Sequence, residues 1–93
     1  MFKHIVCTKF KNKEDAKEVA KRLNTLVGKV ETLRSLETGV DVLNSSRSYD
    51  LVLITTFDDI AGYRAYDTHP EHEKVRAFIK TVRESSVTVD YEF

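Results

Sequence analysis

The stretch "FKHIVCTKF" (Phe2 to Phe10) alternates from residue to residue and is rich in β-formers, which predicts a strand. One face carries Phe2, His4, Val6, Thr8 and Phe10, and the other carries Lys3, Ile5, Cys7 and Lys9. The spacing then changes. Ala16, Val19, Ala20, Leu23, Leu26 and Val27 recur at helical intervals. Asn12 is suited to cap that helix, Glu14 and Asp15 fall in its electropositive first turn, and Gly28 supplies the stop. A second strand is expected over roughly 33–43, with Gly39 marking a bulge or a sharp coil within it. "NSSRS" (Asn44 to Ser48) is turn chemistry.

The strongest strand pattern is "YDLVLITTF" (Tyr49 to Phe57). Asp58 and Asp59 then open a short helix through Ile60, Tyr63 and Tyr66. Pro70 suits the first turn of another helix, because its missing N–H has no partner to lose there. That helix shows Val75, Phe78, Ile79 and Val82 on one stripe, and "SVTVDYEF" closes the chain as a fourth strand.

The order is β-α-β-β-α-β with the second helical region broken at the proline, the split βαβ, ferredoxin-like pattern of an α+β protein. This topology places the first strand beside the third and fourth and the helices on one face only. Tyr49, Leu51, Leu53, Thr55 and Phe57 lie on one side of the third strand, with Val52, Ile54 and Thr56 on the other. Both sides are too apolar to face water. A second copy of the chain is the simplest cover for the helix-free side, so a homodimer packed sheet to sheet is expected.

At 93 residues, without a linker or repeat, the chain reads as one domain, 1–93. Fifteen basic residues balance fifteen acidic ones, which argues against a nucleic-acid partner. The densest basic stretch, Lys9 to Lys13, runs straight into Glu14 and Asp15 and reads as a solvated strand end. Cys7 is the single cysteine. It allows no intrachain disulfide, fits a reducing compartment, and reads as a small apolar strand residue. No apolar run approaches the roughly 18–20 residues that span a bilayer, and Lys3, His4 and Lys9 interrupt any signal-peptide pattern. A cytoplasmic protein without a membrane partner is the expectation.

Candidate chemistry gathers in "YDTHPEH" (Tyr66 to His72). His72 precedes Val75 by three residues and Ile79 by seven, which puts it on the buried stripe. An inward imidazole with an ordinary pKa of about 6.5 could serve as a general base, or simply brace the helix start. Tyr66 could stabilise an enolate through its hydroxyl, or be a core aromatic. His69, just before Pro70, is better placed to cap than to react. A metal needs more ligands than these histidines supply, and no spaced Cys/His or carboxylate set exists, so neither metal nor cofactor is expected. His4 and Asp90 could pair if the first and last strands are neighbours. Alternation alone would instead turn Val87, Val89, Tyr91 and Phe93 toward the helices and leave Asp90 outside.

"KHIVCTKFK", "LETG", "YDLVLITTF", "YDTHPEH" and "VDYEF" follow one another in an arrangement that resembles the stress-responsive dimeric α/β-barrel (Dabb) domain family over essentially the whole chain. One departure precedes the second strand, where many members carry an "IPG"-like turn and this chain reads Val30, Glu31, Thr32, Leu33. The resemblance implies a ferredoxin-like protomer whose sheet pairs with its twin into a dimeric α+β barrel. It implies a catalytic pair at Tyr66 and His72, matching a plant cyclase that closes a linear polyketide without metal or cofactor, with His4 and Asp90 in support. It also turns Thr88 and Asp90 toward the cavity and the valine face toward the dimer partner, and that orientation is the one expected here.

Two readings of function follow. In the first, a cavity lined by Val6, Thr8, Phe10, Leu23, Leu51, Leu53, Phe78 and Val82, with Tyr66, His72 and His4 as its polar groups, binds a small apolar or aromatic carbonyl compound and supports cofactor-free, cyclase- or isomerase-like acid/base chemistry. In the second, the chain is a structural, stress-protective homodimer without activity. A monooxygenase-like enzyme of the same superfold is the weaker third.

Overall fold

Strand β1 (Phe2–Phe10) is hydrogen-bonded along both edges, antiparallel to β3 (Leu51–Phe57) on one side and to β4 (Arg83–Glu92) on the other. In this computed structural model, which describes residues 1–93, β2 (Ser35–Val40) adds to the far edge of β3 and gives the order β2-β3-β1-β4. Helices α1 (Asp15–Asn24), α2 (Ile60–Asp67) and α3 (Pro70–Val82) complete a ferredoxin-like α+β fold, with the expected central position for β1.

The helix boundaries follow local chemistry. Asn12 Oδ1 accepts from the Glu14 N–H at 3.1 Å and its carbonyl from the Asp15 N–H at 3.0 Å, which closes the turn before α1. The N-cap itself is Glu14, without a side-chain capping bond, so Asn12 stands too early to be the expected cap. The Asp59 carboxylate accepts from the Gly62 N–H at 2.8 Å and caps α2. His69 Nδ1 accepts from the Glu71 N–H at 3.1 Å, so this histidine caps α3, with Pro70 in the first turn behind it. Regular α1 ends at Asn24, short of the predicted stop, and the chain continues through turns to Gly28 at φ +84°. Leu26 stays buried, but Val27 loses the helical phase and is 61% exposed, so it leaves the predicted apolar stripe.

Two strand details depart from expectation. β2 is shorter than the 33–43 anticipated, and Val42 and Leu43 lie exposed beyond its end. Nor does Gly39 mark a bulge, because the β2–β3 register runs unbroken from Ser35–Thr56 to Val40–Leu51. It leaves room for Val52 instead, whose Cγ1 would lie 3.2 Å from any added Cβ. The irregularity sits between β1 and β4. There Lys9 faces Ser85 and Phe10 faces Arg83, and Glu84 has no partner. The Phe10 N–H beside this bulge is taken by Asp50 Oδ2 at 2.9 Å, while the Asp50 N–H donates to the Thr8 carbonyl at 2.9 Å.

The core lies between sheet and helices. Phe2, Phe10, Leu51, Leu53 and Phe57 from the strands meet Ala16, Val19, Leu23, Tyr66 and Val75 from the helices. The other face of the sheet carries rows such as Ile54–Ile5–Val89 and Val52–Cys7–Val87. Val87, Val89, Tyr91 and Phe93 lie exposed on it. The apolar residues of β4 therefore point away from the helices, and Asp90 points toward them. No helix is long and apolar enough to cross a membrane.

Asp50 is the buried acceptor that closes the bulged end of β1. Asp50→Ala should cost about 1–3 kcal/mol by leaving the Phe10 N–H unsatisfied, several degrees in melting temperature for a domain of this size. Glu18→Ala, which opens the exposed Glu18–Arg22 pair, should cost well under about 1 kcal/mol. Thermal denaturation giving the two variants equal losses would contradict this assignment.

Candidate active site

The tight joint between α2 and α3 brings the last residue of one helix against the first turns of the next. Arg76 Nη2 donates to the Asp67 carbonyl at 2.8 Å and to Asp67 Oδ1 at 2.5 Å, while Nη1 pairs with Glu73 Oε1 at 3.0 Å. A guanidinium is well suited to the free carbonyl end of a helix. His72 Nδ1 lies 3.1 Å from the same Asp67 carbonyl and 3.1 Å from Arg76 Nη2. The two protons of Nη2 are already committed to Asp67, and a carbonyl can only accept. His72 Nδ1 therefore carries the proton and donates to the Asp67 carbonyl, which leaves Nε2 with a free lone pair.

Burial holds the His72 pKa below the ordinary histidine value, and the Arg76 charge lowers it further; the Asp67 contacts and the Glu73 charge offset this only in part. The imidazole is neutral near pH 7. Its ring stacks on Tyr66, with centroids 4.4 Å apart and planes inclined by 33°.

A cavity of about 210 Å³ opens beside His72. Val6, Val19, Leu23, Leu51, Leu53 and Ile79 form its apolar wall. His4, Thr8, Tyr63, Asp67, His72, Arg76, Arg83, Ser86 and Thr88 form the polar one. His4 and Asp90 face each other across the β1–β4 ladder, and His4 Nδ1 is hydrogen-bonded to Asp90 Oδ1. His4 lines the cavity, whereas Asp90 stands behind it, outside the lining.

Of the residues expected to line a pocket, Val6, Thr8, Leu23, Leu51 and Leu53 do so, and Phe10, Phe78 and Val82 do not. Phe10 is sunk in the core. Phe78 turns toward α1, where its ring centroid lies 3.7 Å from the Arg22 guanidinium carbon. Val82 packs against the core at the helix end. The apolar stripe of α3 is wider than the cavity, and Ile79 is the member that reaches it.

Tyr66 lies outside the lining as well. It is 1% exposed, and its hydroxyl is buried without a hydrogen-bond partner. Burial pushes its pKa far up, so the phenol stays protonated. The tyrosine on the cavity wall is Tyr63, whose ring centroid lies 4.7 Å from that of His4. Burial, followed by the Asp67 and Asp90 charges, raises the pKa of Tyr63, leaving a protonated hydrogen-bond donor. From the sequence Tyr63 is only a member of the short helix through Ile60, Tyr63 and Tyr66; its three-residue offset from Tyr66 is the signal that both share a face. No group of three His, Cys, Asp or Glu side chains is arranged to hold a metal ion.

The family model described as the stress responsive A/B barrel domain matches residues 2–93. A stress-response A/B barrel domain-containing protein of Arabidopsis thaliana is 32% identical over 97 residues, which cover 97% of this chain and 84% of that one. A dimeric protein of unknown function with a ferredoxin-like fold from Bacteroides fragilis superposes with a TM-score of 0.84 at 29% identity, over 99% of this chain and 95% of that one. The hydroxynitrile lyase of Passiflora edulis shares the fold at a TM-score of 0.81 and 14% identity, over 97% and 90% of the two chains.

An unpartnered buried hydroxyl opposes folding by about 1–3 kcal/mol. Tyr66→Phe, which keeps the stacking surface for His72, should therefore raise the melting temperature by a few degrees. A clear loss of stability would mean that the hydroxyl has a partner in solution.

Proposed function

The chain belongs to the stress-responsive A/B barrel domain family, and on that premise we propose that it binds a small apolar or aromatic carbonyl compound in the cavity beside His72 and moves a proton on the carbon next to the carbonyl. The observation that carries this reading is the state of His72: neutral, fixed through Nδ1 by the Asp67 carbonyl, and free at Nε2 in a cavity that is apolar on one wall. Nε2 takes a proton from the α-carbon, the C–H electron pair shifts into the C–C bond, and the carbonyl π pair moves onto oxygen to give an enolate. The Tyr63 hydroxyl donates to that oxygen, and the imidazolium is steadied through its Nδ1–H to Asp67. Delivery of the Nε2 proton to a different carbon of a conjugated enolate completes an isomerisation. Attack of the enolate carbon on a second carbonyl of the same molecule, with the Nε2 proton passing to the alkoxide so formed, completes an aldol cyclisation and frees the base again. Tyr66 acts in this scheme through stacking against His72, and Asp90 through orienting His4.

The volume points to a compound of about one ring, since it lies below the roughly 300 Å³ at which sites for drug-sized ligands begin. The lyase of the same fold supports the reading only at the level of fold.

Deuterium exchange at the methyl group of acetophenone in D2O, followed by NMR, tests the base. The wild type should catalyse exchange, and His72→Gln should slow it about 10²–10⁴-fold. The rate should fall as acid protonates Nε2, with a midpoint below the ordinary histidine value of about 6.5. Catalysis that survives in His72→Gln would sink the assignment. No exchange by the wild type would favour the inert, structural reading of the dimer.

The exposed apolar row of β4 and the half-buried Ile5, Cys7, Val52 and Ile54 give the helix-free face the character of an interface. The Bacteroides fragilis relative is described as dimeric, and we extend that state to this chain, as a homodimer through the same face. Sedimentation should give twice the 10.7 kDa chain mass, and Val89→Lys should return the monomer. A wild-type monomer at micromolar concentration would contradict the proposal.

A further inference from the structure

The bulge between β1 and β4 decides which charge reaches the cavity. Were the ladder regular beyond Lys9–Ser85, Glu84 would stand opposite Phe10 on the helix-facing side and Arg83 would turn to the other face. The extra residue places Arg83 opposite Phe10 instead and leaves Glu84 unpaired and outside the lining. An arginine thus replaces a glutamate at the cavity wall, the kind of re-aiming for which bulges beside sites are kept.

Arg83 is also the uncommitted cation there. Arg76 is held by Asp67 and Glu73, and Arg83 takes part in none of the ion pairs of the chain. Ser86 and Thr88 follow it along the same strand and the same cavity wall. The far wall, around Leu23, Leu51 and Leu53, is apolar. We infer that the cavity selects carbonyl compounds that bear a carboxylate, received by Arg83 with the Ser86 and Thr88 hydroxyls, while the apolar part of the molecule lies against Leu23, Leu51 and Leu53. One uncompensated guanidinium matches one negative charge, and its planar fork suits a carboxylate. The inference rests on the cavity being the carbonyl site proposed above.

The test compares 3-benzoylpropionate with its primary amide, two aryl ketones of nearly equal shape that differ in charge. Binding is read by calorimetry and α-carbon exchange by NMR in D2O, at constant ionic strength. The wild type should prefer the acid by about tenfold, the order of one charge-assisted hydrogen bond at a partly open site. Arg83→Gln should erase that preference, acid and amide then binding and exchanging alike. Arg83→Lys should keep part of it, and Glu84→Gln should keep all of it. Equal handling of acid and amide by the wild type, or a preference that persists in Arg83→Gln, overturns the anion assignment and leaves the carbonyl site standing. If neither compound binds or exchanges, the carbonyl site itself falls, and the inference with it. Arg83 is exposed, and unchanged melting temperatures of the variants exclude a folding defect.

Discussion

Because β1 is hydrogen-bonded on both edges, none of its residues can slip without breaking two ladders at once, and a slip of one residue would exchange its two faces. The row Phe2, His4, Val6, Thr8 and Phe10 is thereby held toward the helices. A histidine in the middle of that row must be buried, and a buried imidazole needs a partner. The edge strand supplies it in Asp90, directly across the ladder. The His4 carbonyl is also used, accepting from the Thr55 hydroxyl at 3.2 Å. The position of His4 in the cavity is thus a consequence of the sheet, not of a loop, and it inherits the rigidity of the sheet.

The cavity exists where the layers are unequally filled. At one end Phe2, Phe57, Tyr63 and Tyr66 form a connected aromatic cluster with ring centroids 5.2–6.4 Å apart. At the other, α1 and α3 close over Leu51 and Leu53. Beyond β1 no helix covers β4, whose residues are exposed throughout, so the space opens on that side. The result is a graded interior, apolar under α1 and polar along α3 and β4. A ligand in it is oriented by that gradient before any single hydrogen bond is made.

Much of this was legible in the sequence. Two-residue alternation in β1 and β3, the proline between two helical stripes and the one-sided set of helices together specify the ferredoxin-like order, and the His4–Asp90 pairing follows once β1 and β4 are neighbours. Strand parity in β4 was not legible from alternation, because a strand with its apolar side on a second sheet shows the same pattern as one with its apolar side on helices. Gly39 and the bulge at Glu84 escaped for a related reason: both depend on what the neighbouring strand presents, which no local window contains. Phe78 and Val82 lie on the correct stripe of α3 but beside the cavity rather than on it, since helical periodicity resolves a face about 100° wide and not a point on it. Phe10 lies on the correct face of β1, and alternation does not say how far along the strand the cavity reaches. The exchange of Tyr66 for Tyr63 on the cavity wall has the same origin, as both occupy one face of a two-turn helix.

Charge ties the two ends of the cavity together. A carboxylate bound near His72 without compensation would stabilise the imidazolium and raise the histidine pKa, removing the free lone pair that a base requires. The guanidinium of Arg83 opposes that field at its source, and Arg76 already opposes protonation of His72. Interactions of this kind persist across a partly buried site, where water screens less than in bulk. An anionic substrate and a neutral histidine base are compatible in this cavity because the cation that receives the first also protects the second. A glutamate at that position, as an unbulged ladder would give, would oppose both.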